Sequence, residues 1–193
     1  MDALLLAGTT SVGPYDATPS LLENLLVGDR DTLLLAIRRE TYGDELRFED
    51  VTCNKCGVIF SVTVDLASEV PIKQTDTPGP FSVPLRSGTA LVRPAAGVDQ
   101  RKVYGLGAEA TVPQMNTALL ASCLLELNGV ELLAMPEEPE DVARSLGLRD
   151  REILLKALMG SQPGPDYEEV KMSCPSCDKE YPLTLGVVDL FRP

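Results

Sequence analysis

Three features of this 193-residue sequence predict an α+β chain made of two pseudo-symmetric units, each a helix followed by a β-hairpin, with a β-rich insert between them. Two CxxC pairs, Cys53/Cys56 and Cys174/Cys177, each stand among segments that alternate as strands do. An offset of 121 residues carries one pair onto the other, together with the helical segment that precedes it. Between the copies lies a stretch dense in proline and glycine, with two extended runs about the turn "RSGT". The predicted divisions are 1–66 for the first repeat, 67–115 for the insert and 116–193 for the second repeat.

Each element has a local reason. In the first copy, "VGDRDTLLLAI" at 27–37 reads as a helix. Asp29 is expected to cap it, and Asp31 sits in its first turn, where the positive helix end favours a carboxylate. Leu33, Leu34, Ile37 and Thr41 form the expected buried stripe, and Gly43 ends the helix. The strand after the CxxC alternates Phe60, Val62 and Val64 with Ser61, Thr63 and Asp65, which predicts one buried and one wet face.

With no gap, the same offset lays "LRDREILLKAL" (148–158) on the first helix, Gly164 on Gly43, Met172 on Val51, and Tyr181, Leu183 and Leu185 on Phe60, Val62 and Val64. Asp150 and Glu152 take the acidic positions of the second helix, Leu154, Leu155 and Leu158 its stripe, and Gly160 its stop. Upstream, "DALLLAG" faces "TALLASC" only with a gap. In the insert, the runs around "RSGT" predict a hairpin, either an arm offered to a partner's sheet or a hairpin packed on its own domain. Asp99 is expected to cap a short helix after it, and "PEEPED" at 136–141 reads as a solvated helix start.

The cysteines carry the chemistry. Cys123 lies in an apolar helical pattern and reads as a small buried hydrophobe. A CxxC at a hairpin tip turns both sulfurs to one side, and a pseudo-twofold relation between the repeats would bring the tips together. Cys53, Cys56, Cys174 and Cys177 are therefore the expected ligands of one four-sulfur site. Zinc is the expected ion, because a closed thiolate cage suits it and leaves no open position for a substrate, so the site reads as structural. Two unlinked dithiols, separate metal sites and disulfides are the competing readings. A thioredoxin-type site fits poorly, since strands rather than a helix are expected to follow each CxxC.

Composition removes other classes. The chain has no histidine and a net charge of −12, with 29 acidic against 17 basic residues. The charge opposes docking on nucleic acid or anionic lipid, and the missing histidine removes the commonest general base. Around the knuckles, Arg47 and Lys55 face Glu49, Asp50 and Asp65, so no basic stripe marks a nucleic-acid surface. Phe60 and Tyr181 read as core rather than base-stacking residues. There is no phosphate-cradling glycine loop and no nucleophile motif, and no enzyme is expected. No apolar run approaches the ~20 residues of a membrane helix, and the first seven residues lack the form of a signal peptide. A soluble protein made in the cytoplasm is expected.

The runs "LLVGDRDTLLLAIRRETYGDEL", "VTCNKCG", "LRSGTALVRPAAGVDQ" and "NTALLASCLLELNG" together resemble the T-even-type phage baseplate hub protein family, baseplate hub assembly chaperones of contractile-tailed phages and related injection particles. The resemblance runs from about Ser20 onward and implies a non-enzymatic role in a tail baseplate, through contacts with hub, spike or wedge proteins and with retention in the virion as one outcome. Glu23, Asp29, Asp31, Arg86 and Arg93 are the candidate interface residues. The rival readings are a cytoplasmic zinc-ribbon adaptor associated with transcription or other complexes and, last, a dithiol oxidoreductase.

Overall fold

A computed structural model describes residues 1–75, 79–183 and 185–191. Residues 76–78, inside the predicted insert, and residues 184 and 192–193, inside the second repeat, lie outside the described residues. The main elements, in chain order, are α1 (Asp2–Gly8), β1 (Ser11–Val12), β2 (Tyr15–Asp16), α2 (Pro19–Asn24), α3 (Val27–Tyr42), β3 (Glu45–Thr52), β4 (Ile59–Asp65), β5 (Ile72–Lys73), β6 (Phe81–Leu85), β7 (Gly88–Val92), α4 (Gly97–Tyr104), α5 (Val112–Cys123), β8 (Leu124–Leu127), β9 (Val130–Glu131), α6 (Pro139–Ser145), α7 (Leu148–Gly160), β10 (Gly164–Pro165), β11 (Lys171–Ser173) and β12 (Glu180–Pro182). They form two compact units. Unit 1 gathers residues 1–17, 30–73 and 164–193; unit 2 gathers 18–29 and 74–163.

Among its described residues, unit 1 holds four two-stranded antiparallel sheets, β1–β2, β3–β4, β5–β10 and β11–β12. Its core packs Leu35 of α3, Leu46 of β3 and Val64 of β4 with Leu66, Val70, Val170, Leu183, Leu185 and Leu190. The alternation expected for β4 is present: Val64 is buried and Phe60 and Val62 half-buried, while Ser61 and Thr63 are exposed. Helix α3 begins at Val27, so Asp29 lies in its first turn rather than at its cap. Gly43 ends it as expected, with φ of +82° and its N–H donated to the Arg39 carbonyl at 2.9 Å.

The buried stripe of α3 is rotated from the expected one. Leu34 is buried as expected, but Leu35, Arg30 and Arg38 join it and Thr41 is exposed. The cause is the two arginines. Arg38 donates to the Gly43 and Glu45 carbonyls at 2.8 and 2.9 Å and lies over the Tyr42 ring, fastening the helix end to the start of β3. Arg30 pairs with Asp2 of α1.

Asp31 is half-buried, and that burial raises its carboxyl to about 6 against a smaller opposing pull from Arg30. An acid raised in the folded state costs stability above its unfolded value near 4 and most fully above 6. Asp31→Asn is thus expected to stabilise the protein at pH 8 by roughly 1–3 kcal/mol, with the gain shrinking to nothing as pH falls to about 4. Urea melts at the two pH values check this, and an equal effect at both would contradict it.

Unit 2 is built on one four-stranded antiparallel sheet in the order β6-β7-β8-β9. Val83, Ala90 and Val92 of the hairpin are buried with Leu120, Cys123, Leu124, Val142, Leu154 and Leu158 in one core. The hairpin at "RSGT" is therefore present, and it is packed within its unit rather than projecting as an arm. Proline at position 84 of the outer strand β6 removes a backbone donor, which blunts that edge against strand addition.

Two acidic residues stand at helix starts as expected, and each also holds a partner from outside its helix. Helix α7 begins at Leu148, and buried Asp150 accepts from the Arg86 N–H at 2.7 Å, the Ser87 N–H at 3.3 Å and the Ser87 hydroxyl at 2.7 Å, so it fixes the β6–β7 turn. Asp99 lies at the third position of α4, fully buried, where it accepts from the Ala96 N–H at 2.9 Å and pairs with Arg93. "PEEPED" leads into α6, which has Glu140 and Asp141 in its first turn, as expected. Gly28 is required by close approach: a Cβ there would lie 1.6 Å from the Pro163 carbonyl oxygen.

Candidate metal centre

Both CxxC pairs sit in unit 1, at the tips of β3–β4 and β11–β12. The two tips are built alike. Val51 pairs with Phe60 and Thr52 with Ile59; Met172 pairs with Tyr181 and Ser173 with Glu180, which is the same register. In the first turn the Cys53 N–H donates to the Val58 carbonyl and the Gly57 N–H to the Cys53 carbonyl, both at 2.9 Å. In the second the Cys174 N–H donates to the Lys179 carbonyl and the Asp178 N–H to the Cys174 carbonyl, both at 3.0 Å. Each turn closes on a left-handed residue, Gly57 at φ +73° and Asp178 at φ +51°. Asp tolerates that region better than most residues, so the turn survives without glycine.

The four sulfurs converge. Cys53 Sγ lies 3.7 Å from Cys177 Sγ and Cys56 Sγ lies 3.6 Å from Cys174 Sγ, with all four within 4.8 Å of one another. A tetrahedral ion with metal–sulfur bonds of ~2.3 Å separates its ligands by ~3.8 Å, so the shorter distances suit a shared cation. They are far beyond a disulfide bond of ~2.05 Å, and all the cysteines are free. Cys53 and Cys174 are buried while Cys56 is exposed, which gives the cluster an inner and an outer side.

The local electrostatics favour a cation. The Tyr181 hydroxyl is the largest influence lowering the Cys53 thiol, to about 5, although its approach falls outside ordinary hydrogen-bond geometry. Burial opposes it, and the Cys56 and Lys55 N–H groups, both 3.4 Å from Cys53 Sγ, assist. At Cys177 the Lys179 N–H favours the thiolate, yet burial and the facing thiols of Cys174, Cys53 and Cys56 push it up to about 11. One thiolate thus suppresses its neighbour, and a bound cation is what allows four to ionise together. Four cysteines so placed can hold a metal ion.

The surroundings argue against redox catalysis, because each CxxC leads into a strand, β4 or β12, and not into a helix. Cys123 stands apart at the end of α5 in unit 2, fully buried, with burial the main cause raising its thiol to about 12. It is the inert hydrophobe expected.

A family model described as T4 bacteriophage base plate protein matches residues 14–192. The chain belongs to that family. As a T4-type baseplate protein it bears out the resemblance carried by the "VGDRDTLLLAI" and "VTCNKCG" runs, both of which fall inside the matched span. No curated protein and no solved structure matches it. None of its described helices is long and apolar enough to cross a membrane.

The candidate interface residues of this baseplate protein differ in how far they are engaged within the chain. Glu23 pairs with Arg101, Arg93 with Asp99, and the Arg86 backbone serves Asp150, while burial raises the Asp29 carboxyl. Sequence reasoning passed over Tyr181 as a neighbour of Cys53. Strand spacing marked Tyr181 as core along with Phe60, and only its hydroxyl distinguishes it.

Proposed function

We propose that this baseplate protein is a structural or assembly component of a contractile tail, a hub protein or hub assembly chaperone, whose unit 1 is clamped by one structural zinc on Cys53, Cys56, Cys174 and Cys177. The family match over residues 14–192 carries the baseplate reading. The zinc reading rests on the four converging sulfurs, an all-thiolate donor set that suits zinc and leaves no position for a reacting water. A non-enzymatic role fits, with its work done through contacts with other hub, spike or wedge proteins.

The two knuckles read as copies of one ancestral helix-and-hairpin unit, with 1–66 and 116–193 as the repeats and 67–115 as the insert. Their common register and matching turn bonds support this. The chain would be made in the host cytoplasm and either kept in the finished tail or released after assembly.

Purified contractile particles probed with an antibody to this chain test the reading. A permanent component is expected in the particle at a fixed ratio to the tube protein. A chaperone is absent from the particle, but tails stall when its gene is deleted. Normal tails formed without the chain, and none of it in the particle, would remove the baseplate reading.

A further inference from the structure

Unit 2 carries a groove of about 630 Å³ that the baseplate reading leaves without an occupant. Leu125 and Leu133 line it, and Leu133 is 90% exposed although its neighbour Leu132 is 3% exposed. One exposed leucine needs no explanation, but Leu133 shares the groove with half-buried Leu125, so the groove itself offers uncovered apolar surface. Glu126, Glu131, Glu138 and Glu140 line the same groove against one cation, Lys102. These carboxylates do not converge as a cation site: among the described residues only the four cysteines bring ligand atoms that close together.

We infer that this groove receives a basic segment with an apolar face from a neighbouring protein. Its leucine-like side chains cover Leu133 and Leu125, and its Lys or Arg heads pair with the glutamates of the rim. The charges choose the occupant. A second copy would bring its own −12 against the acidic rim, and nucleic acid or anionic lipid would be repelled in the same way. The inference rests on the reading of this chain as a protein that works through protein contacts, and it adds the chemistry of one such contact.

The test titrates the full, zinc-loaded chain with two labelled amphipathic peptides of equal length, one of Leu and Lys and one of Leu and Glu, at ~0.15 M salt, where exposed charges act over only ~8 Å. The Leu/Lys peptide is expected to bind and the Leu/Glu peptide to fail. Leu133→Asp and Glu131→Lys are each expected to weaken binding at least about tenfold, the usual effect at an anchoring position. Glu49→Lys, the same charge change on an exposed site of unit 1, is expected to stay within about twofold of the parent.

Equal weakening by Glu49→Lys would reduce the effect to diffuse attraction and overturn the proposal. So would binding indifferent to Leu133→Asp, or self-association in sedimentation that Leu133→Asp abolishes. Circular dichroism confirms that the variants fold. Loss of peptide binding with the chain still retained in particles would refute the groove and leave the baseplate reading intact; the converse result would do the opposite.

Discussion

Cys53→Ser is expected to release the metal and unfold unit 1, a loss larger than any core substitution in the chain would produce. The reason lies in how little else holds that unit. It contains four sheets of two strands each, and a two-stranded hairpin is marginal by itself in water. Its main apolar cluster has nine buried members among the described residues, with Leu5 and Leu34 buried outside it. Structural zinc on small domains contributes ~10–16 kcal/mol, as much as or more than the ~5–15 kcal/mol that separates a whole folded domain from its unfolded state.

Metal analysis is expected to find one zinc per chain in the parent and none in the variant. Hydrogen exchange should lose protection first at β3–β4 and β11–β12. Acid works in the same direction, because protons compete with the metal for thiolates, so the holo protein loses stability as pH falls and a chelator becomes effective at lower concentration. A metal-free parent that melts at the temperature of the zinc-loaded one would refute the clamp.

The site was legible because its signal is local and repeated. Two CxxC pairs at a common offset of 121 pointed to four neighbouring sulfurs without any knowledge of the sheets between them, and residues matched by that offset, Val51 with Met172 and Phe60 with Tyr181, hold equivalent places in the two hairpins. The turn at "RSGT" was legible for a similar reason, since glycine and serine between extended runs leave few alternatives. What stayed hidden depends on tertiary partners. The burial of Arg30 and Arg38 is one such feature, because guanidinium groups can satisfy themselves on a carboxylate or on backbone carbonyls that no periodicity reveals. Asp150 and Asp99 have the residue type of a helix cap, and their partners at Arg86, Ser87 and Arg93 come from other elements. In each case the sequence pattern described a helix surface, while the fold used the same side chain to close a turn or neutralise a buried charge.

That buried charge sets the second large effect. Arg93→Ala is expected to destabilise unit 2 by about 3–5 kcal/mol, because it strands the Asp99 carboxylate in the core. Asp99 is fully buried, and Arg93 meets it with both terminal nitrogens, at 2.7 and 2.8 Å. The same guanidinium donates to the Ser122 carbonyl at 2.9 Å, and the Arg93 N–H donates to the Cys123 carbonyl at 2.9 Å, so the pair ties α4 to the end of α5. Removing both charges tells a stranded ion from a lost attraction. Arg93→Met with Asp99→Asn, which removes both charges and keeps an acceptor for the Ala96 N–H, is expected to recover much of what Arg93→Ala alone loses, since such pairs contribute little beyond offsetting their own desolvation.

Cys123 supplies a local readout. Its thiol is buried beside this pair, so in zinc-loaded protein, where the other four cysteines are engaged, labelling of Cys123 should be slow in the parent, fast in Arg93→Ala and slow again in the double variant. If Arg93→Ala melted and labelled like the parent, the pair would be a surface contact in energy despite the burial of Asp99. If the double variant fared worse than Arg93→Ala, the pair would owe its value to attraction rather than to the penalty of leaving one charge alone.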